Sequence, residues 1–560
     1  MASPPSSSPS SPSATAGGAP APAPPAERSN LLVPDVARWP LDAGPVIQLI
    51  DVSLSFGDNR VLKGLSLDIV PGQTTVIVGR SGSGKSVLLK LMMGLLAPTR
   101  GKVMAFGRDV AELSPMEVIS MRKRMSMLFQ NYALFDALPV EENVGFSLLE
   151  NTRMRRAEVM ELAHGLLHIL QLEGAEKRLP SELSGGMRKR VSLARALIAN
   201  PEVVLFDEPT TGLDPIMIAK VDEMIALIRE QYRITSVIIS HDMASTKRLA
   251  DRVAYLHDGQ IIFYGSHDEF RGSELAPIRS FIDGAQTSRL ARVTGGEEAA
   301  ANAAAAAEPE VGAGEEPVIE LIDVHKRFGD KHVLRGVNLK IFPNRITVLI
   351  GGSGSGKSVI IKHIMGLLRP DSGQVRVFGE DIARASDAEI TLVRRRFGML
   401  FQHAALLDWL TVAENIAFPL RERTSLSRRE IKARVQAILE RLHMLDIKDD
   451  MPGVISSGQR KRVGLARAII MKPEVMLYDE PTTAQDPIRT RQVDDMIQQT
   501  QEDFDVTSIV ISHDMASTFR IAHVVALLNQ GEIRAYGTPE QVRASTDEYV
   551  REFIYAGQVG

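Results

Sequence analysis

The feature that most constrains this chain is that it repeats itself. GRSGSGKS begins at Gly79 and returns as GGSGSGKS at Gly351, 272 residues later. The same offset links Phe56 to Phe328, Gln130 to Gln402, Ser184 to Ser456, Asp207 to Asp479 and His241 to His513. VVLFDEPTTGLDPI (203–216) and VMLYDEPTTAQDPI (475–488) agree at ten of fourteen positions. Solenoid units repeat every 20–50 residues or so, and this period is far longer, so one whole domain is present twice.

The copies occupy residues 45–285 and 317–560. Residues 1–44 open with a run of Pro, Ser and Ala that lacks the charged start and apolar stretch of a signal peptide. They read as a disordered tail, because such a composition buries too little apolar surface to offset its ordering entropy. Residues 286–316 are rich in Ala and Glu and read as a flexible linker with a root-mean-square span of about 30 Å. That is enough to join two domains facing each other. The best apolar run, Val87 to Ala97, is broken by Lys90 and falls short of the roughly 18–20 residues a membrane span needs. Any membrane role would then come through a partner. The net charge of −4 lacks the basic excess of a nucleic-acid-binding protein. With no cysteine, a disulfide framework, a Cys-based zinc site and a thiol nucleophile are excluded.

Each copy alternates strand and helix signals. Thr74–Val78 is β-rich and runs into the glycine loop, and Val87–Leu96 reads as a buried helix. Val203–Phe206 and Ser236–Ile239 are short apolar runs, as expected for strands covered on both faces, and Met217–Glu230 between them is helical. This predicts an α/β fold with a parallel-sheet core. Residues 111–182 read as a helical insert, and 538–560 as a small helical docking extension.

GxxxxGKS between strand and helix is a phosphate-binding loop, whose backbone N–H groups wrap phosphates at a helix N-terminus. The loop residues are Gly79, Ser81, Gly82, Gly84, Lys85, Ser86 and Val87, and Gly351, Ser353, Gly354, Gly356, Lys357, Ser358 and Val359. The lysines would neutralise phosphate oxygens, and the serines before each valine would reach Mg²⁺. Each DEP run ends a strand with two carboxylates. Asp207 and Asp479 would bind Mg²⁺, while Glu208 and Glu480 would polarise the attacking water. His241 and His513 each end an apolar strand, where side chains reach the ligand crevice of a parallel sheet.

LSGGMRKR (183–190) and ISSGQRKR (455–462) resemble the signature motif of ATP-binding cassette (ABC) ATPases. Gln130 and Gln402 look like that family's Q-loop, also reaching Mg²⁺, and Asp214 and Asp486 like its D-loop. His241 and His513 are similar to its switch histidine, and Phe56 and Phe328 sit where it stacks an aromatic on adenine. The resemblance implies two tandem P-loop cassettes, each with an antiparallel edge, closing head to tail as an intramolecular pseudo-dimer. ATP site one would join Phe56, Lys85, Ser86, Gln130, Asp207, Glu208 and His241 to Ser456, Ser457, Gly458 and Gln459 in trans. Site two would join Phe328, Lys357, Ser358, Gln402, Asp479, Glu480 and His513 to Ser184, Gly185, Gly186 and Met187. The expected cofactors are ATP and Mg²⁺, and the catalytic residues Glu208, His241, Glu480 and His513. Ser457 replaces a signature glycine, which predicts weaker ATP turnover at site one.

The signatures, LFQNYALFDALPVEENVGF (128–146), LFQHAALLDWLTVAENIAFPLRER (400–423) and FIDG (281–284) are most similar to the ATPase subunit of Mla-type, MCE-associated phospholipid transporters. That implies a separate integral membrane permease, docked around Asn131–Phe135 and His403–Leu407, and an MCE-type periplasmic lipid-binding protein. It places the chain peripherally on the cytoplasmic face of the inner membrane, energising lipid transport. The alternatives are the tandem-cassette ATPase of a sugar or peptide importer and a soluble ribosome-acting ABC ATPase. The short acidic linker and the absence of cysteine speak against ribosome-acting and DNA-repair members.

Overall fold

A computed structural model describes residues 38–130, 132–283, 311–312, 314–402, 404–483 and 485–556. The tail to residue 37 and linker residues 286–310 lie outside them. Each copy folds into two sheets. In the first copy the larger sheet runs Gln260–Gly265, Arg252–His257, Thr74–Gly79, Thr235–Ile239, Val203–Asp207, Met125–Leu128. Its inner pairings are parallel, with Val76 between Ile238 and Val253, and only the Gln260–Gly265 edge is antiparallel. The second copy repeats this order around Ile346–Gly351. The expected α/β fold with a parallel core and an antiparallel edge is therefore present twice.

The strand Thr74–Gly79 is buried at every position, which is why the sequence reads as a continuous apolar run there. Side chains alternate faces. Val76 and Val78 enter one core cluster and Ile77 the other, which a second, four-stranded antiparallel sheet closes. The insert carries the expected helices, Pro115–Lys123, Val140–Asn151 and Arg156–Ile169. It also supplies the strand Met125–Leu128, which pairs with Val203–Asp207. Of its methionines, Met121, Met125 and Met127 are buried there, while Met116 is exposed.

Two expectations change. The end of the tail is packed rather than free. The Trp39 N–H donates to Glu202 Oε2 at 2.6 Å, and its ring meets Phe106 edge-on at 6.2 Å. The expected docking extension at 538–560 is not an added piece over its described residues 538–556, because Val550, Phe553 and Ile554 of helix Glu548–Tyr555 are buried in the second core. Residues 276–283 form the matching helix in the first copy, burying Ile278, Phe281 and Ile282. Apolar spacing on so short a helix looks the same whether it covers its own core or a partner.

Candidate functional site

Both phosphate loops leave their sheet through a glycine that the neighbouring strand demands. A Cβ on Gly79 (φ 154°) would lie 2.3 Å from the Leu256 carbonyl oxygen, and one on Gly351 (φ 149°) 2.1 Å from that of Leu528. Gly84 and Gly356, in left-handed geometry, then start helices Lys85–Met92 and Lys357–Ile364. The Lys85 ammonium donates to the carbonyls of Gly79 and Arg80, both at 2.9 Å, and Lys357 to those of Gly351 and Gly352 at 2.8 and 3.0 Å. Burial pushes both lysines down to about 8 against the pull of nearby carboxylates. Ser81, Ser83 and Ser355 bury hydroxyls that have no partner. Such orphaned donors, beside open loop positions at Gly82 and Gly354, fit a polyphosphate. Val87 and Val359 are half-buried in the helices that follow.

The carboxylates end their strands as the sequence requires. Ser86 Oγ donates to Asp207 Oδ1 at 3.0 Å, and this pair would hold Mg²⁺. Burial raises both Asp207 and Asp479. Glu208 and Glu480 have left-handed φ values of 52° and 47°, which cost a non-glycine residue and turn each carboxylate into the cleft. His241 Nε2 lies 2.5 Å from Glu208 Oε1, and His513 Nε2 lies 2.7 Å from Glu480 Oε1. Burial would raise these glutamates, but the histidine contact and the Thr211 or Thr483 hydroxyl outweigh it and hold both below the usual carboxylate range. Each therefore stays ionised, as a water-polarising base must. Gln130 Nε2 donates to Glu208 Oε2 at 3.0 Å, so its side chain faces that carboxylate. Phe56 and Phe328 end their strands about half exposed, and the Lys326 ammonium stands 5.7 Å over the Phe328 ring.

The signature serines begin helices. Ser184 Oγ accepts from the Met187 N–H at 3.3 Å and Ser456 Oγ from Gln459 at 3.2 Å, leaving Gly185, Gly186 and Gly458 at helix starts. Met187 and Gln459 lie in the first turns. Ser457 is the first residue of its helix.

Among the described residues, hydrogen bonds cross between the copies at two places. The Ser81 N–H donates to Asp486 Oδ2 at 3.0 Å, and the Ser353 N–H to Asp214 Oδ2 at 2.9 Å. Each aspartate also caps the helix behind it through Oδ1. A cavity of about 260 Å³ lies between the copies, lined by Glu208, His241 and His513 among others. The two copies thus meet through these aspartates, each on the phosphate loop of the other.

Two residues went unnoticed in the sequence. Lys189 and Lys461, inside the RKR of each signature, are buried. Lys189 Nζ donates to the carbonyls of Glu208 and Thr211 at 3.0 and 2.9 Å, and Lys461 to that of Pro481. They tie signature helix to base-bearing turn. A basic triplet at helical spacing was the only signal, and solvated lysines look the same.

The Q-loop segments are also pinned. Arg195 donates to the carbonyls of Tyr132 and Ala133, and Arg467 to those of Ala404 and Ala405. Asn143 and Asn415 bracket Phe135 and Leu407. Beside the second segment lies an apolar groove of about 590 Å³, lined by Met365, Phe401, Leu407, Phe418 and Met471. Asn131 and His403 lie outside the described residues.

A family profile described as ABC transporter matches residues 62–211 and 334–483. The chain belongs to the ABC transporter family. It is 30% identical over 562 aligned positions to the glutathione import ATP-binding protein GsiA of Escherichia coli K12, covering 92% of this chain and 90% of that one. The Shigella sonnei protein of the same name matches equally. Among solved structures, CbiO1 of Clostridium perfringens, part of the cbiONQ transporter complex, matches at TM-score 0.39 and 28% identity, covering 42% of this chain and 94% of that one. A dimeric bacterial ABC transporter cassette matches at TM-score 0.36 and 29% identity, covering 39% and 98%. This ABC protein is an ATPase of two fused cassettes that uses ATP with Mg²⁺. No helix among its described residues is long and apolar enough to cross a membrane.

Proposed function

We propose that this chain hydrolyses ATP at two composite sites and passes cassette closure to a separate permease bound at the cytoplasmic face of the cell membrane. The observation that carries this reading is the pair of crossed hydrogen bonds, Asp486 to Ser81 and Asp214 to Ser353. Each ties a loop that would hold phosphate to a turn of the other cassette, so nucleotide and closure are coupled. ATP with Mg²⁺ supplies the reactive phosphoryl group and its charge neutralisation. Lys85 and Lys357 hold the terminal phosphates, and Asp207 with Ser86, and Asp479 with Ser358, hold the metal, joined by Gln130 and Gln402. Glu208 and Glu480 take a proton from water while His241 and His513 hold them in place. The signature helix starts complete each cradle in trans, as oriented donors for developing charge. Phe56 and Phe328 carry the adenine.

The cassettes extend over residues 45–285 and 317–560, joined by 286–316. The permease would rest in the apolar groove beside the second Q-loop and its counterpart. For the cargo, similarity to glutathione import proteins over nine-tenths of the chain favours a small peptide. A second reading, phospholipid transport with an MCE-type partner, rests on the signature and Q-loop motifs. Cassettes touch nucleotide and permease, not cargo, so the partner decides. The complex purified from native membranes should contain a multi-span permease. A solute-binding receptor with peptide-stimulated ATPase activity supports peptide import. An MCE-domain protein with bound phospholipid supports the lipid reading. Ribosomal proteins without a permease would overturn both.

A further inference from the structure

The two ATP sites differ most where one helix begins. Pro215–Tyr232 and Pro487–Phe504 are equivalent helices, each capped by the aspartate that crosses to the other cassette. At the third position the first helix has Met217 and the second Arg489. Met217 packs on its own signature, its Cε 2.9 Å from where a Cβ on Gly186 would lie. Arg489 instead sets Nε 3.5 Å from Asp486 Oδ2, the oxygen that accepts the Ser81 N–H. Its guanidinium therefore stands one carboxylate oxygen away from the first phosphate loop, on a side chain still 28% exposed.

A buried carboxylate beside a phosphate loop repels a polyphosphate. Both sites carry one, Asp486 at the first and Asp214 at the second. Arg489 offsets it at the first site, while Met217 at the matching place has no charge. The loops differ in the same sense. The first has Arg80 where the second has Gly352, and a Cβ on Gly352 would lie 3.4 Å from the Tyr549 hydroxyl. A guanidinium fork can serve the carboxylate and a phosphate oxygen together. Burial dominates the lowering of Lys85, and the charge of Arg489 acts on that ammonium in the same direction.

We propose that Arg489 is an anion-binding side chain supplied in trans to site one, where it reads the terminal phosphate and makes site one the tighter ATP site. This rests on the composite-site reading above and is independent of cargo. A tight site with Ser457 in its signature is the slow partner of a faster site two.

The test uses the full chain carrying Glu208→Gln and Glu480→Gln, so that nucleotide binds without turnover. Photolabelling with 8-azido-ATP or 8-azido-ADP is titrated, and labelled peptides are assigned to each cassette. Arg489→Met should raise the half-saturating azido-ATP concentration about tenfold in the first cassette, the loss expected for one charge-assisted contact. Azido-ADP labelling and second-cassette labelling should not move. Arg489→Lys should restore most of the loss, and Met217→Arg should tighten azido-ATP at the second cassette. Unchanged first-cassette labelling, or equal losses for both nucleotides, would overturn the proposal and leave Arg489 a helix-end ion pair. Loss confined to the second cassette would break the composite-site reading as well.

Discussion

The first and second ATP sites share their chemistry and differ in their surroundings. Glutamate, histidine and threonine repeat with nearly the same distances, 2.5 and 2.7 Å from histidine to base. The neighbours diverge: Arg80 against Gly352, Met217 against Arg489, Pro277 against Tyr549, Gly185 against Ser457. Duplication fixed the residues that handle water and phosphate. It left the residues that set affinity free to drift apart, because each composite site draws one half from each copy. A change in one cassette therefore alters one site in cis and the other in trans.

The largest effect expected is loss of the base. Removing a general base costs about a hundredfold or more at its own site. If site one is the slow site, Glu480→Gln should remove most steady-state ATP turnover and Glu208→Gln a minor part. Equal losses would break the comparison. Next comes the crossed aspartate. Asp486→Ala removes a helix cap, typically worth about 1 kcal/mol, and the bond to Ser81. It should lower steady-state ATP turnover several-fold by loosening the contact between the cassettes, and Asp214→Ala should do the same.

A pH titration should affect both sites alike. Each loop lysine is lowered to about 8, so the ammonium that attracts phosphate is lost as pH rises through that value. Initial ATP affinity should hold up to about pH 7 and fall towards pH 9. The same shift sets the sign for stability. Unfolded lysine keeps its proton up to about 10.4, so the nucleotide-free fold gains stability between about pH 8 and 10 as far as these groups contribute. Flat affinity across that range would remove the lysines as the phosphate-holding charge. The smallest effect expected is Tyr549→Phe. It should change ATP affinity in the second cassette by less than about fivefold, since an uncharged hydroxyl contributes about 1 kcal/mol or less.

Much of the fold was legible because burial on both faces writes itself as unbroken apolar runs. Thr74–Gly79, Val203–Asp207 and Thr235–Ile239 were each located to within a residue or two. Met125–Leu128 was missed, since four residues among helices carry too little pattern. Trp39 was assigned to a tail because the partner that orders it, Glu202, lies 163 residues away. In the site, glycine loop, carboxylate pair and histidine could all be read from spacing. Lys189 and Lys461 could not, because only burial distinguishes a lysine holding backbone carbonyls from one in water.

The sequence alone determined the duplication, the parallel-core fold, the nucleotide chemistry and the order of motifs. These depend on residue type and local spacing, which a chain carries without folding. Only the tertiary structure decided that Asp486 serves the loop at Ser81, that Arg489 stands beside that loop while Met217 turns to its own signature, and that the last helix closes a core. Those facts depend on which surfaces meet across more than a hundred residues of chain, and no local spacing records that.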